Sequence, residues 1–157
     1  MYSVRGRNAA TAATADHVVW TFWNPHATQR IKVIAFSMFA QGAAPAAGWS
    51  GRIIRTTTIG TAGTTVTPGI QSHSTRGIAP PSGVTMGLAA FSVQPALDST
   101  ATPHLGFTFA AVQGSGLIYP FPGGIEIGPG AGIAFAQVPA TASVVFEINI
   151  SWMEDWL

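Results

Sequence analysis

The chain is 157 residues long and carries little charge, because Asp, Glu, Lys and Arg make up 8% of it against roughly 25% in an average soluble domain. The length suits a single domain with one sizeable core. A net charge of +1 argues against a nucleic-acid-binding protein, which needs clustered Lys and Arg. A surface so poor in charge favours a subunit covered by copies or partners over the alternative, a monomer coated with Thr, Ser and Gly.

Neither cysteine chemistry nor a membrane helix is expected. The chain has no cysteine, which excludes disulfides and thiolate metal sites. Its most hydrophobic stretch, residues 31–47, is interrupted by Lys32, Gln41 and Pro45. No run reaches the roughly 18 apolar residues that a membrane-spanning helix requires.

The beginning of the chain, Met1–Ala15, is predicted to form an N-terminal arm ahead of a single domain that covers residues 16–157. The stretch Asn8–Ala15 is rich in Ala and Thr and can bury little by itself. We expect the arm to add a strand to the sheet edge of a neighbouring subunit, with a loose tail as the alternative. The residues that would make this interface are Tyr2, Val4, Arg5 and Arg7.

About nine strands are predicted, because runs rich in Val, Ile, Thr and aromatic residues are separated by turn sequences. In chain order they are His17–Trp23, Arg30–Phe39, Gly51–Ile59, Thr64–Thr67, Val84–Val93, His104–Val112, Leu117–Phe121, Ala131–Val138 and Val144–Trp152. The second is apolar on both faces, as expected of a central strand covered on both sides. The last alternates strictly between apolar and mostly polar residues, which indicates one buried face.

So many short strands in one domain predict an all-β fold, an antiparallel β-sandwich of jelly-roll type with about eight or nine strands. The alternative is an immunoglobulin-like sandwich, which usually needs only about 100 residues. Within the first strand after the arm, Trp20 and Phe22 share one face and Trp23 lies on the other. Trp23 and Trp156 are therefore candidate interface residues, whereas Trp20 and Trp152 suit a core or an interface equally well.

No catalytic or metal-binding motif is visible, so we expect neither an enzyme nor a cofactor. The four histidines lack the close spacing of metal ligands on a strand; they are His17, His26, His73 and His104. Glu126 and Glu147 could face each other across strands, but nothing in the sequence indicates a cleft between them. Glu154 and Asp155 are expected to form a solvated pair near the end of the chain.

Three features resemble the small jelly-roll decoration, or cement, proteins of tailed bacteriophage heads. They are the Thr- and Ala-rich arm Met1–Ala15, the glycine-rich turn into an apolar strand at Gly128–Phe135, and the closing strand with its aromatic and acidic tail, Val144–Leu157. The resemblance implies a structural protein on the outer surface of the virion that clamps neighbouring major capsid proteins, usually as a homotrimer and sometimes as a dimer. The shortage of Lys and Arg suits an outer surface better than one that lines packaged DNA.

Two other functions are kept as alternatives, because a jelly roll hosts all three. The first is a receptor- or glycan-binding module, such as a fibre head or a lectin-like domain. For it, Trp23 and Asn24 beside His26 are the candidate pocket. The second is a cupin-like enzyme, for which the expected His and Glu metal motif is missing.

Overall fold

The computed structural model describes residues 1–10, 14–41, 49–66, 71–73, 80, 82–109, 112, 114–138 and 145–154. These residues contain eleven strands and no helix. The strands are β1 (Tyr2–Arg7), β2 (Val18–Asn24), β3 (Ile31–Ala40), β4 (Trp49–Thr56), β5 (Thr64–Val66), β6 (Gln71–Ser72), β7 (Thr85–Leu88), β8 (Leu105–Phe109), β9 (Gly116–Ile127), β10 (Ala131–Gln137) and β11 (Phe146–Glu154).

The strands form two antiparallel sheets packed face to face, so the predicted β-sandwich is confirmed. The first sheet has the strand order β6-β1-β11-β3-β9, and the second has the order β5-β7-β2-β10-β4-β8. Successive strands from β1 to β4 alternate between the two sheets, and so do the strands from β8 to β11. Strand β1 pairs with β11, β2 with β10, β3 with β9 and β4 with β8. These pairings describe one long antiparallel ribbon wound into two layers.

All nine predicted strands are present, although several differ in length from the prediction. The alternation predicted for the last strand is confirmed, since Phe146, Ile148, Ile150 and Trp152 are fully buried. The prediction that the strand β3 is covered on both sides is wrong. Its residues alternate between buried and partly exposed, because only one face of this sheet packs against the other sheet.

The prediction of an N-terminal arm separate from the domain is also wrong, because β1 is an integral strand of the first sheet. It pairs along its whole length with β11, from Tyr2 opposite Trp152 to Arg7 opposite Glu147. The exposed fraction of Tyr2 is 7% and that of Val4 is 2%, so both side chains belong to the core of their own chain. They are not available to a neighbouring subunit.

The centre of the core is a group of aromatic rings of the second sheet, against which Phe36 and Phe146 of the first sheet pack at 6.4 Å from Trp20 and 4.9 Å from Trp49. The ring of Phe135 lies 6.0 Å from Trp20, 5.1 Å from Trp49 and 5.2 Å from Phe107, measured between centroids. Gly51 leaves room for this group, because a Cβ atom there would lie 2.3 Å from Cζ of Phe135. The absence of a side chain at position 51 therefore lets the rings of Phe135 and Trp49 pack against the backbone of β4.

A second, smaller apolar cluster lies on the outer face of the second sheet. Its buried members are Val18, Ala89, Phe91, Ala134 and Ala136. The connections before β5 and after β7 cover this face, since Phe91 belongs to the cluster and Ala62 and Leu97 pack against it. This covering leaves a cleft at one end of β4 and β10.

Candidate functional site

One side of the sandwich is open, and we call it the open side: the edge strand β8 and residues 116–122 of the edge strand β9, with the exposed side chains on both faces of this edge. Neither edge has a further strand partner among the described residues. Rings from both edges meet at the buried Phe36, whose centroid lies 6.1 Å from Phe107 and 5.8 Å from Phe121. Next to them, 37% of Tyr119 is exposed, whereas Ile118, which is 72% exposed, points to the outer face of the first sheet beside Ser37. The open side therefore presents apolar and aromatic surface to a partner.

Strand β9 limits the way in which a partner can pair with this edge. Pro120 and Pro122 have no backbone N–H to donate, so the middle of the edge cannot continue a regular ladder. Gly123 and Gly124 follow with φ angles of 83° and 74°, where the strand bulges away from β3. Contacts at the open side must therefore come mainly from side chains.

The outer face of the first sheet carries polar groups beside the exposed Ile118 and Met153. Asn149 donates a hydrogen bond to the hydroxyl of Ser37 at 3.2 Å. Arg5 forms an ion pair with Glu147 across β1 and β11 at 2.5 Å, and 70% of the Arg5 side chain is exposed. Arg7 is exposed on the same face. Exposed ion pairs of this kind contribute little to stability, so this face can accept contacts without a large loss.

A polar cleft with a volume of about 280 Å³ opens at the other end of β9. Its polar lining consists of Arg55, Thr56, Thr57, Asp98 and Glu126. The remainder of the wall comes from the turn between β9 and β10 and from the start of β10. The cleft thus combines a guanidinium group, two carboxylates and two hydroxyls from separate segments of the chain.

The charges in and beside the cleft are balanced. Glu126 is paired with Arg30 at 2.5 Å. Asp98 accepts hydrogen bonds from the backbone N–H and the hydroxyl of Thr100 at 3.0 and 2.6 Å, and these bonds lower the pKa of its carboxyl, with a smaller contribution from Arg55. Burial and, to a smaller extent, the charge of Arg55 lower the pKa of the nearby His104. A carboxylate, a guanidinium group and a neutral imidazole therefore lie close together at neutral pH.

The row Trp23, Gly132 and Thr56 crosses three strands at the edge of the cleft. Trp23 and Thr56 are the register partners of Gly132 on β2 and β4. A Cβ atom at position 132 would lie 2.8 Å from Cε3 of Trp23 and 3.0 Å from Oγ1 of Thr56. The exposed fraction of Thr56 is 3%, and its hydroxyl has no hydrogen-bond partner among the described residues.

The pocket expected from Trp23, Asn24 and His26 is not formed, because two of these side chains bind the backbone around them. Asn24 is fully buried, and its amide donates to the carbonyl of Gln29 at 2.8 Å. Nδ1 of His26 accepts from the backbone N–H of Gln29 at 2.8 Å. Both residues therefore stabilise the turn after β2, although His26, like Trp23, stays partly exposed.

The acidic residues also differ from two expectations. Glu126 and Glu147 do not face each other, because they pair with opposite ends of β3, at Lys32 and Phe39. Glu154 is not solvated, since only 6% of it is exposed. Its carboxylate accepts hydrogen bonds from the hydroxyl of Ser82 at 2.5 Å and from the amide of Gln29 at 2.9 Å. Asp155 lies outside the described residues.

The structure does not bring the predicted interface residues together. Tyr2 and Val4 are in the core, while Arg5 and Arg7 lie on the outer face of the first sheet. Trp23 is on the outer face of the second sheet, and Trp156 lies outside the described residues.

Sequence reasoning missed both the open side and the cleft. The alternation of Leu117, Tyr119 and Phe121 was a usable signal for the former. The cleft carries no local signal, because its walls come from four separate segments of the chain.

Within the described ranges, no group of three or more His, Asp or Glu side chains is placed to hold a metal ion. The described part of the chain also contains no helix long and apolar enough to cross a membrane. Comparison with protein-family models, with curated proteins and with solved structures finds no match.

Proposed function

We propose that this chain is a non-enzymatic structural subunit that decorates the outside of a viral capsid and stabilises contacts between major capsid proteins. The observation that carries the proposal is the open side, where aromatic and aliphatic side chains stay exposed in a chain with only 8% charged residues. Exposed apolar patches of this kind usually mark contact surfaces. A protein with so little charge also has little electrostatic repulsion to prevent association. A permanent assembly would cover this surface.

We further propose that the sandwich is of jelly-roll type. Support comes from the wound ribbon, in which four pairs of strands, from β1 with β11 to β4 with β8, alternate between the sheets. Strands β5, β6 and β7 are then additions between β4 and β8 that extend one edge of each sheet. This architecture is common in viral capsid proteins, but by itself it does not specify a function.

We also propose that the chain forms a closed homo-oligomer, a trimer in preference to a dimer, with the open side in its interface. Closed symmetric association covers exposed apolar surface without leaving a free copy of it. Ile118 and Tyr119 supply apolar area and a phenol group, as is common at interfaces. Because the prolines of β9 interrupt strand addition, the contact would rest on these side chains.

The test replaces Ile118 with Lys, a change at a side chain that is 72% exposed and so leaves the fold intact. The matched control is Val93→Lys, at a side chain that is 59% exposed on a connection over the second sheet. Light scattering at micromolar concentration should report an oligomer for the unchanged protein and for the control, and a smaller species for Ile118→Lys. A monomer for the unchanged protein would contradict the proposed oligomer.

The capsid function is tested separately by mass spectrometry of purified virions. The chain should be present in a fixed ratio to the major capsid protein, and mild protease treatment of intact particles should release it from the outside. Its absence from virions, or its protection from protease inside intact particles, would contradict the proposal.

A receptor- or glycan-binding module is the second candidate, and the polar cleft favours it. From β9 the cleft takes Glu126 and Ile127, which lie at the end of the strand away from Ile118 and Tyr119. Glu126 and Ile118 pair with Lys32 and Ser37 of β3, five residues apart, which is roughly 17 Å along a strand. The two surfaces can therefore be altered independently.

A further inference from the structure

The strongest feature of the polar cleft is a buried hydroxyl group that has no partner among the described residues. Thr56 lines the cleft, and its exposed fraction is only 3%. Its Oγ1 atom has no hydrogen-bond partner among the described residues. Buried hydroxyl groups are nearly always hydrogen-bonded, because an unpaired one loses its bonds to water without replacement. Because Oγ1 is almost completely covered, a ligand hydroxyl that supplies the missing bond must displace the atoms around it.

The groups around Thr56 suit a ligand that both donates and accepts hydrogen bonds. The carboxylate of Asp98 accepts, the guanidinium group of Arg55 donates, and the hydroxyl of Thr57 does either. The backbone N–H of Asp98 also donates to the carbonyl of Arg55 at 2.9 Å, which holds the two side chains on neighbouring segments. Planar carboxylate and guanidinium groups can each engage two adjacent hydroxyls at once.

The balance of charge argues against an ionic ligand. Glu126 already has Arg30 at 2.5 Å, and Arg55 is close enough to Asp98 to lower the pKa of its carboxyl. A ligand with a net charge would therefore meet as many like charges as opposite ones. The volume of about 280 Å³ lies just below the range of roughly 300–1,000 Å³ for small-molecule sites, so the cleft suits a ligand no larger than one ring.

We propose that the cleft binds one neutral pyranose ring of a glycan through its hydroxyl groups. The hydroxyl of Thr56 and the carboxylate of Asp98 are the principal partners. The partly exposed indole of Trp23 lies outside the cleft lining, beside Gly132, and would contact the sugar only where the sugar extends over Gly132. The proposal deepens the second candidate function and does not depend on capsid binding.

The experiment titrates the ¹⁵N-labelled protein with neutral methyl glycosides of common hexoses and N-acetylhexosamines, and follows the amide resonances by NMR. At about 10 mM sugar, within the range of weak single-ring affinities, at least one glycoside should shift the amides of Thr56, Thr57 and Asp98. Thr56→Val, which keeps the shape and removes the hydroxyl, should weaken binding about tenfold.

Two further variants complete the design. Asp98→Asn, in an exposed turn where the fold tolerates change, should weaken binding by a similar factor. Thr108→Val, at an exposed threonine of β8 away from the cleft, should bind as the unchanged protein does.

Three results would overturn the proposal. They are the absence of shifts with every glycoside, shifts produced only by anionic sugar acids or by acetate, and equal affinity of Thr56→Val and the unchanged protein. Ile118→Lys should keep sugar binding, and Thr56→Val should keep oligomerisation. Failure of one surface is therefore distinguishable from failure of the other.

Discussion

Tyr2 and Trp152 lie directly opposite each other on β1 and β11, and their rings stack with centroids 5.6 Å apart and planes inclined by 27°. Trp152 also receives the edge of Phe22 from the second sheet, at 5.0 Å between centroids. The indole of Trp152 therefore connects Tyr2 of the first sheet to Phe22 of the second sheet. This arrangement makes the first strand a part of the core.

Removal of residues 1–7 should accordingly abolish cooperative folding, because it strips a paired strand from β11 and exposes Trp152. Tyr2→Ala should lower the free energy of unfolding by about 3 kcal/mol, the usual cost of truncating a buried aromatic residue. The control Ser3→Ala, on the outward face of the same strand, should change it by less than about 0.5 kcal/mol. Urea denaturation followed by tryptophan fluorescence measures both. A truncated protein with a native circular dichroism spectrum and a cooperative transition would restore the arm interpretation.

Gly51→Ala should destabilise the protein by about 1–3 kcal/mol through overpacking. The added Cβ would lie 2.3 Å from Cζ of Phe135 and 2.9 Å from Cζ3 of Trp49, in the densest part of the core. Gly106→Ala on the adjacent β8 is the matched control, since a Cβ there meets nothing within 4 Å. Thermal unfolding of the two variants should differ clearly, and equal melting temperatures would show that the aromatic group can shift at little cost.

Ser82→Ala should lower the free energy of unfolding by about 2 kcal/mol, because the buried carboxylate of Glu154 loses a charge-assisted hydrogen bond of 2.5 Å. Glu154→Ala should cost more, since it leaves the donors of Ser82 and Gln29 without an acceptor. The same change at Glu126, whose ion pair with Arg30 is exposed, should cost less than about 1 kcal/mol. Chemical denaturation at neutral pH ranks the three variants, and an equal loss for the two glutamates would contradict the structural role of Glu154.

His104 should make stability depend on pH, because its pKa is lower in the folded state than the ordinary value of 6.5. The unfolded chain then binds more protons at mildly acidic pH. The contribution of His104 is therefore fully present above pH 6.5 and is lost as the pH falls through the folded pKa. His104→Gln should flatten this part of the curve of urea midpoint against pH. Parallel curves for the two proteins would contradict the prediction, and Arg55→Gln should raise the pKa of His104 in an NMR titration.

The pattern of single strands was predictable because it is local. Strict alternation from Phe146 to Trp152 specifies which face is buried, whatever the partner strand is. Turn sequences rich in Gly and Pro separated the other strands well enough to predict an all-β sandwich. The low content of charged residues alone predicted that copies or partners cover part of the surface.

Burial that depends on distant partners could not be predicted in this way. Strand β1 offers only Tyr2 and Val4 as apolar signals, and its place is decided by a strand at the far end of the chain. Glu154 lies in an acidic stretch near the end of the chain, where a solvated side chain is expected. Its carboxylate nevertheless accepts hydrogen bonds from Gln29 and Ser82, which are distant in the sequence.

The two candidate surfaces likewise combine features that the sequence predicts with features that depend on the tertiary structure. The chain by itself determined the alternating strands, the scarcity of charge and the aromatic content of β9. Only the tertiary structure decided that β8 and β9 are both edges that meet at Phe36, and that Arg55, Asp98 and Glu126 line one cleft. The physical reason is that periodicity records the side of a strand that faces the core, whereas the neighbours of a strand depend on pairing between residues far apart in the sequence.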